Sequence, residues 1–412
     1  MTAQYLIQRL VPNGDGVTEG RLYAKGVLPG EIVSGEVAAP TLTDVRIIEP
    51  SEHRVKPPCR HARSCGGCQL QHASDVFVAE WKVSGVRRAL SARGIEAEMR
   101  PIVTSPPRTR RRATLAAKRT KKGVTAGFHR AASFEVVPIS DCHVMHPDLL
   151  DALPVIERLA GMGASRKGKL AVTVTVSEGG LDVSVRHGKP LDGPLRADLA
   201  QATEQLRLAR LAWESEVVAM RAPPVQCFGA AQVVPPPGAF LQATKHGEQA
   251  LLEAVSEATA NAKHIADLFA GCGTFTLPLA EGAEVHAVEG EAEMIAALDQ
   301  GWRKAKGLKR VTGEARDLFR RPLLPDELAR FDALVIDPPR AGAEAQVAEI
   351  AKSQIPRIAY VSCDPLTFAR DAQTLISAGY RLNWVQVVDQ FRWSSHIELA
   401  ASFTLAHMAA GD

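Results

Sequence analysis

At 412 residues the chain exceeds one ordinary core, so two or three domains are expected. A composition of 46% hydrophobic and 23% charged residues is that of a soluble globular protein, and a net charge of +3 says little about partners. No stretch approaches the ~18 uninterrupted apolar residues of a membrane helix, and MTAQYLIQRL lacks the apolar core and cleavage site of a secretory leader. The expectation is a cytoplasmic chain with no membrane partner, working as a monomer.

Residues 1–55 read as short strands (YLIQRLV, GRLYAKGVL, IVSGEV) separated by the glycine-rich turns PNGDG and PGE, a pattern that predicts a small OB-like β-barrel. A proline-rich link, KPPC, leads to Cys59, Cys65 and Cys68, with Cys142 further on. Seven cysteines, an odd number, argue against a disulfide framework and for metal or catalytic roles. Four thiolates hold either a tetrahedral zinc or a [4Fe–4S] cluster. Three close ligands and one remote are more typical of iron–sulfur, and Gly66-Gly67 supply the tight turn. DVFVAEWKVSGVRRALSARG has helical periodicity, with Val76, Trp81, Val83, Val86 and Leu90 on or near one apolar face.

From Met99 to Phe134 there is no Asp or Glu, while Arg100, Arg108, Arg110, Arg111, Arg112, Lys118, Arg119, Lys121, Lys122 and Arg130 fall inside. Such a block repels itself unless a polyanion meets it, and nucleic acid is the obvious candidate. ATLAAKR and VTAGFHR flank Lys121-Lys122-Gly123 as a hairpin. LAVTVTVSEGGLDVSVRHG predicts a second, turning at Glu178-Gly179-Gly180. After VVPPPGAF the texture changes to alternating helices and strands, the signature of an open parallel sheet covered on both faces. The expected division is therefore 1–55, a β-rich unit over 56–235 whose helix 74–94 is free to pack on the last domain, and an α/β domain over 236–412.

In that last domain HIADLF runs into Ala270-Gly271-Cys272-Gly273-Thr274-Phe275 and then a helix, and Glu289 ends the next strand. Glycines let the backbone approach a ligand closely, and an acidic residue at that strand end binds both hydroxyls of a ribose. The loop is Asp-x-x-x-Gly-x-Gly, not Gly-x-Gly-x-x-Gly. It suits S-adenosylmethionine (SAM), which carries no phosphate, better than a dinucleotide. Tyr360-Val361-Ser362-Cys363-Asp364-Pro365 places a cysteine just beyond another strand, and IDPPR puts Asp337 at the same crevice. A thiolate added at C6 of a pyrimidine makes C5 nucleophilic toward a methyl sulfonium, and a base must later remove the C5 proton. Glu398, in SHIELAA, is the candidate base. Adenine amino-methyltransferases place an aromatic residue after Asn/Asp-Pro-Pro; here Arg340 follows.

In this order the motifs resemble the TRAM-domain RNA (uracil-5-)-methyltransferases, and most closely the iron–sulfur 23S rRNA enzymes. The resemblance runs through GDGV, LPGE, Cys59/Cys65/Cys68/Cys142, RTRRRATLAAK, GFHR, AFLQ, DLFAGCGTFTLPLA, AVEG, IDPPRAG, YVSCDPLTFARD and DQFRWSSHIE. It implies an α/β fold: a C-terminal Rossmann-like SAM methyltransferase domain, an N-terminal TRAM barrel and a central iron–sulfur domain. Cys363 would be the nucleophile and Glu398 the base. Gln242, Phe269, Gly271, Gly273, Thr274, Glu289, Asp317 and Asp337 would line the SAM or target pocket, and the four cysteines would hold a structural [4Fe–4S] cluster. Barrel and basic hairpin would grip RNA, rRNA by family association, with tRNA the alternative and the target base flipped out. Phe128 is a candidate to stack on an unpaired base or a hairpin core residue. Three positions depart from the pattern: Ala270 for Cys, Asp364 for Asn beside the nucleophile, and Asp317 for Asn. Cytosine C5 methylation and a non-catalytic iron–sulfur RNA binder are the competing readings.

Overall fold

The computed structural model describes residues 3–121 and 123–406; Lys122, at the tip of the first expected hairpin, lies outside them. No helix among the described residues is long and apolar enough to cross a membrane.

The strands Gln4–Leu10, Gly16–Thr18, Tyr23–Ala24, Ile32–Ala38 and Thr41–Glu49 close into a barrel. Ile7, Ala24, Val27, Val33 and Leu42 fill it. Gly16 is required there, because a Cβ would come within 2.3 Å of Val27 and 2.9 Å of Ile7. The central unit is a seven-stranded sheet in the order Glu216–Met220, Arg210–Trp213, Gly180–Arg186, Lys169–Ser177, Arg112–Thr120, Gly123–His129, Val136–Pro138. Both expected hairpins are in it, with Ala116 facing Gly127 in one and Val174 facing Val183 in the other. The helices Leu153–Gly163 and Gly193–Gln205 share its apolar core.

The last domain is built on an eight-stranded sheet. Five strands run parallel, in the order Val311–Ala315, Glu284–Glu289, His264–Leu268, Ala333–Ile336, Arg357–Ser362. Glu398–Leu405 then enters antiparallel to both Arg357–Ser362 and Tyr380–Asp389. The strand order reverses between His264–Leu268 and Ala333–Ile336, which opens a crevice at their carboxyl ends, where ligands of such sheets bind.

One expected boundary is corrected. The eighth strand, on the edge beside Tyr380–Asp389, is Met99–Thr104, which the sequence reading assigned to the 56–235 unit. The helix Asp75–Ser91, capped by Ser74, also belongs to this body: its Val86, Ala89 and Leu90 lie in the core of the eight-stranded sheet. Its buried stripe is Val78, Lys82, Val86, Ala89 and Leu90, whereas Val76, placed on the apolar face by periodicity, is 66% exposed. The lysine in that stripe explains the misreading. Lys82 is fully buried, donating to Asp389 Oδ1 at 2.7 Å and to the Phe391 carbonyl at 3.2 Å.

Candidate active site

Strand register assembles the site. Ser362 pairs with Leu399, so the following residue, Cys363, stands opposite Glu398, the first residue of its strand. Ile336 pairs with both Leu268 and Tyr360, which brings Asp337 into the same row of strand ends. Gln242, on the segment entering the domain, donates to Asp337 Oδ2 at 3.4 Å and accepts from Gln390 Nε2 at 2.7 Å. Gln242 and Gln390 are both buried, forming a chain of polar side chains from Asp337 to the segment that leads to Glu398.

The cofactor loop follows His264–Leu268. Gly271 lies at φ +55°, and a Cβ there would meet nothing within 4 Å: the space above the turn is open. Gly273 lies at φ +96°, and a Cβ would come within 2.9 Å of Leu277. One glycine faces open space and the other a packed core. Thr274, next in the loop, is half-buried. Glu289 Oε2 accepts from the Gly271 N–H at 3.0 Å, so the acidic strand end and the glycine turn hold each other. Phe269 is forced to φ +62°, with its ring 5.5 Å from that of Phe319. Asp317 uses Oδ1 to accept from the Phe319 N–H at 3.0 Å and pairs with Arg320, so it caps its own turn beside that ring.

Burial sets the protonation of this crevice. Asp337 is half-buried; desolvation, then the nearby Asp267, push its carboxyl up to about 7. Burial pushes Asp267 to about 7 as well, against a hydrogen bond from Thr276 Oγ1 at 2.5 Å. Glu398, 5% exposed, is held well above the usual carboxylate range by burial and by Asp337. Burial, then Glu398 and Asp337, push the Cys363 thiol up to about 12, and Arg340 alone among its named neighbours pulls it down. Asp364 does something the sequence did not reveal. It is the N-cap of the helix Pro365–Ser377, its Oδ1 accepting from the Leu366 N–H at 2.9 Å and the Thr367 N–H at 3.3 Å. Its other oxygen lies 3.8 Å from Arg340. The residue that replaces Asn beside the nucleophile is thus occupied in capping the helix.

Asp267 and Gln390 were not singled out from sequence. Each sits in a motif that was read, DLFAGCG and DQFRW, and the only further signal was a polar residue inside an apolar run. Asp267 Oδ1 is buried with no hydrogen-bond partner, an acceptor left for a ligand at the open turn. That orphan, the open space at Gly271 and the Glu289 carboxylate fit an amino acid–nucleoside cofactor.

The second group of expected ligands lies apart. Cys59, Cys65, Cys68 and Cys142 line one cavity of about 60 Å³. Gly66 makes the turn possible, since a Cβ would come within 2.8 Å of the Ala131 nitrogen. Burial raises Cys59, Cys65 and Cys68, the last to about 12, and the proximity of Cys142 raises all three further. Among the described residues no His, Cys, Asp and Glu side chains are drawn together as a single bound ion requires. Phe128 also lines this cavity and packs on the central core, so the structure places it in the hairpin core and not on a base-stacking surface.

Part of the basic block is turned inward, while Arg108 and Arg130 stay exposed. Arg111, 3% exposed, pairs with Glu248 and donates to the Gln242 carbonyl at 3.2 Å. Arg112 donates to the Gly238 carbonyl at 2.9 Å, and Arg100 pairs with Glu257 while lying over Trp384. Arg119 and Lys121, on the hairpin, remain exposed.

Comparison with known proteins places this architecture. The model of the family described as tRNA (Uracil-5-)-methyltransferase matches residues 304–404. An RNA methyltransferase of Mesorhizobium japonicum is 44% identical over 404 residues, covering 97% of this chain and 98% of that one. The 23S rRNA (uracil(1939)-C(5))-methyltransferase RlmD of Halomonas elongata is 34% identical, covering 96% of this chain and 88% of its own. The crystal structure of Pyrococcus abyssi tRNA (uracil-54, C5)-methyltransferase with S-adenosyl-L-homocysteine superposes with a TM-score of 0.77, covering 97% and 99% of the two chains at 23% identity.

Proposed function

The chain belongs to the TRAM-class RNA (uracil-5-)-methyltransferases, and from that premise we propose that it converts a uridine of 23S rRNA to 5-methyluridine, with Cys363 as nucleophile and Glu398 as base. The observation that carries the residue assignment is the register that sets Cys363 opposite Glu398 at the carboxyl end of the sheet. Phe269, Gly271, Gly273, Thr274, Glu289 and Asp317 would hold SAM, which would supply the electrophilic methyl group. Cys363 loses its proton and forms a bond to uracil C6; the C5–C6 electrons move toward O4. The resulting enolate carbon C5 would take the methyl group as its bond to the sulfonium sulfur breaks, leaving S-adenosylhomocysteine. Glu398 removes the C5 proton, the C6–S bond breaks, the double bond is restored and the thiolate leaves. A buried carboxyl with a raised proton affinity is a stronger base than an exposed one, which suits this last step. Gln242 and Asp337 are placed to hold the uracil edge or the methyl donor, and a protonated Asp337 is a donor as well as an acceptor.

Cys59, Cys65, Cys68 and Cys142 are read as the ligands of a [4Fe–4S] cluster, which supplies a rigid crosslink between the cysteine loop and the central sheet. The rRNA assignment draws on the Halomonas relative, whose name carries that substrate. Capture on RNA containing 5-fluorouridine tests the chemistry: a covalent adduct forms with the wild type and is lost in Cys363→Ala. Nucleoside mass spectrometry of rRNA and tRNA from cells lacking the gene tests the address. Loss of 5-methyluridine from tRNA alone would overturn the rRNA reading.

A further inference from the structure

The helix Pro365–Ser377 carries three polar side chains that the proposed reaction does not use, and all three turn to one loop. Thr367, Arg370 and Asp371 follow the cap Asp364 at helical spacing and share a face. That face meets the loop 338–343, which leaves Asp337 and carries Arg340. Thr367 Oγ1 donates to the Arg340 carbonyl at 3.2 Å, shared with the Asp364 carbonyl at 3.3 Å. Arg370 Nη2 donates to the Ala341 carbonyl at 3.1 Å, and Asp371 Oδ2 accepts from the Ala343 N–H at 2.9 Å. Gly342, between them, lies at φ +75°, and a Cβ there would come within 2.6 Å of Arg370, 2.8 Å of Asp371 and 3.0 Å of Thr367. The loop rests on these side chains with no room to shift toward them.

Asp371 is the centre of the arrangement. It is 1% exposed, its Oδ2 also accepts from the Tyr360 hydroxyl at 2.6 Å, and its Oδ1 accepts from Arg370 Nε at 2.9 Å. Arg370 is held from its other side by Glu344 at 3.1 Å. Tyr360 is fully buried on the strand Arg357–Ser362, which delivers Cys363. One carboxylate thus joins the strand that ends at the nucleophile to the loop that follows Asp337. Burying a carboxylate is unfavourable, and an apolar residue would pack the helix more simply. What the charge adds is a short, directed bond to several donors at once. We propose that Asp371 is a positioning residue for methyl transfer, fixing the loop that bears Asp337 and Arg340 against the strand that bears Cys363, with Thr367 and Arg370 as its supports. The proposal rests on reading Cys363 as the nucleophile.

The full-length protein tests this as wild type, Asp371→Asn, Thr367→Val and Thr367→Ser. Measured are the end point and rate of adduct formation on 5-fluorouridine RNA with SAM, kcat and KM for ordinary RNA, and the thermal midpoint. The end point counts competent molecules, so the rate per competent molecule is free of any loss to misfolding. Asp371→Asn lowers that rate and kcat on the order of 10²-fold, as a displacement of about an ångström does, with KM for the RNA unchanged. Thr367→Val lowers both less, and Thr367→Ser, which keeps the hydroxyl, restores them. Where Asp371→Asn does not fold, the two Thr367 variants decide. A wild-type rate per competent molecule in the folded variants, whatever their thermal midpoints, would overturn the proposal and leave these side chains as packing. So would a raised KM with kcat intact, which would make the loop an RNA contact. Absence of adduct in the wild type would defeat the Cys363 reading and the proposal together, whereas adduct in the wild type with unaltered variant rates would defeat the proposal alone.

Discussion

Thiols gather in two regions of this molecule, in opposite surroundings. Cys59, Cys65, Cys68 and Cys142 line one cavity and raise one another, with Arg110 and Asp141 on its wall. Cys363, at the crevice of the last domain, faces Glu398, Asp337 and Asp364, with only the mostly exposed Arg340 opposing them. Burial raises both kinds of thiol, so burial is not what distinguishes them. The difference lies in the company: other thiols at the first region, carboxyls and one arginine at the second. A nucleophile that ionises once per turnover and must also leave is served by carboxyls that accept and return a proton.

The sharpest way to break the comparison is to remove the transient thiol. Cys363→Ala abolishes methylation and the adduct with 5-fluorouridine RNA, both read on denaturing gels and by nucleoside mass spectrometry. Glu398→Gln comes next: turnover falls on the order of 10²–10⁴-fold, while the covalent adduct with ordinary RNA accumulates because its release is blocked. Adduct that fails to accumulate would place the base elsewhere.

The carboxyl side of the comparison is read by pH. Asp337 titrates near 7 in the fold, above its value of about 3.9 in an unfolded chain. Its folded form binds the extra proton, so its contribution to stability is full below about 4 and disappears as pH rises through 7. Thermal unfolding of the ligand-free protein, compared between pH 5 and pH 8, is expected to show a smaller loss for Asp337→Asn than for the wild type. An unchanged difference would mean that Asp337 is already ionised in the fold. The smallest effect belongs to Arg340. Alkylation of Cys363 by iodoacetamide in the free protein continues to accelerate above pH 9, and Arg340→Gln moves that rise upward by a fraction of a unit. A Cys363 fully reactive at pH 7 would remove the contrast between the two thiol regions.

The catalytic half was legible in sequence because its signals are local. Strand, glycine turn and helix follow one another directly in HIADLFAGCG, and Cys363 sits one residue beyond a strand. What was hidden depends on contacts distant along the chain. Val76 was placed on the apolar face and Lys82 went unmentioned, since periodicity reads apolar residues only; Asp389, across the fold, makes Lys82 a core residue. Met99–Thr104 has no alternation that names its partner, so its place on the far edge of the last sheet was invisible. The basic block misled for a related reason: charge density records that partners exist, and for Arg111 the partner is Glu248. Asp364 was noted only as a departure beside the nucleophile, although Asp-Pro before a helical stretch is itself a capping signal.

That edge strand changes what kind of object the central sheet is. The chain lays down Met99–Thr104 in the last domain's sheet, leaves to build the central sheet, and returns through Gln226–Phe228 and Ala231–Val233, which pack on Cys272 and Met294, to finish the domain it began. The outgoing and returning segments run side by side: the Arg111 N–H donates to the Ala243 carbonyl at 2.9 Å, and the Ser105 and Thr244 hydroxyls are 2.8 Å apart. A unit suspended from one linker swivels; one suspended from two bonded cords does not. Gln242 is part of the returning cord, so a tug on the central sheet by a bound polymer pulls on a residue that reaches the reaction crevice.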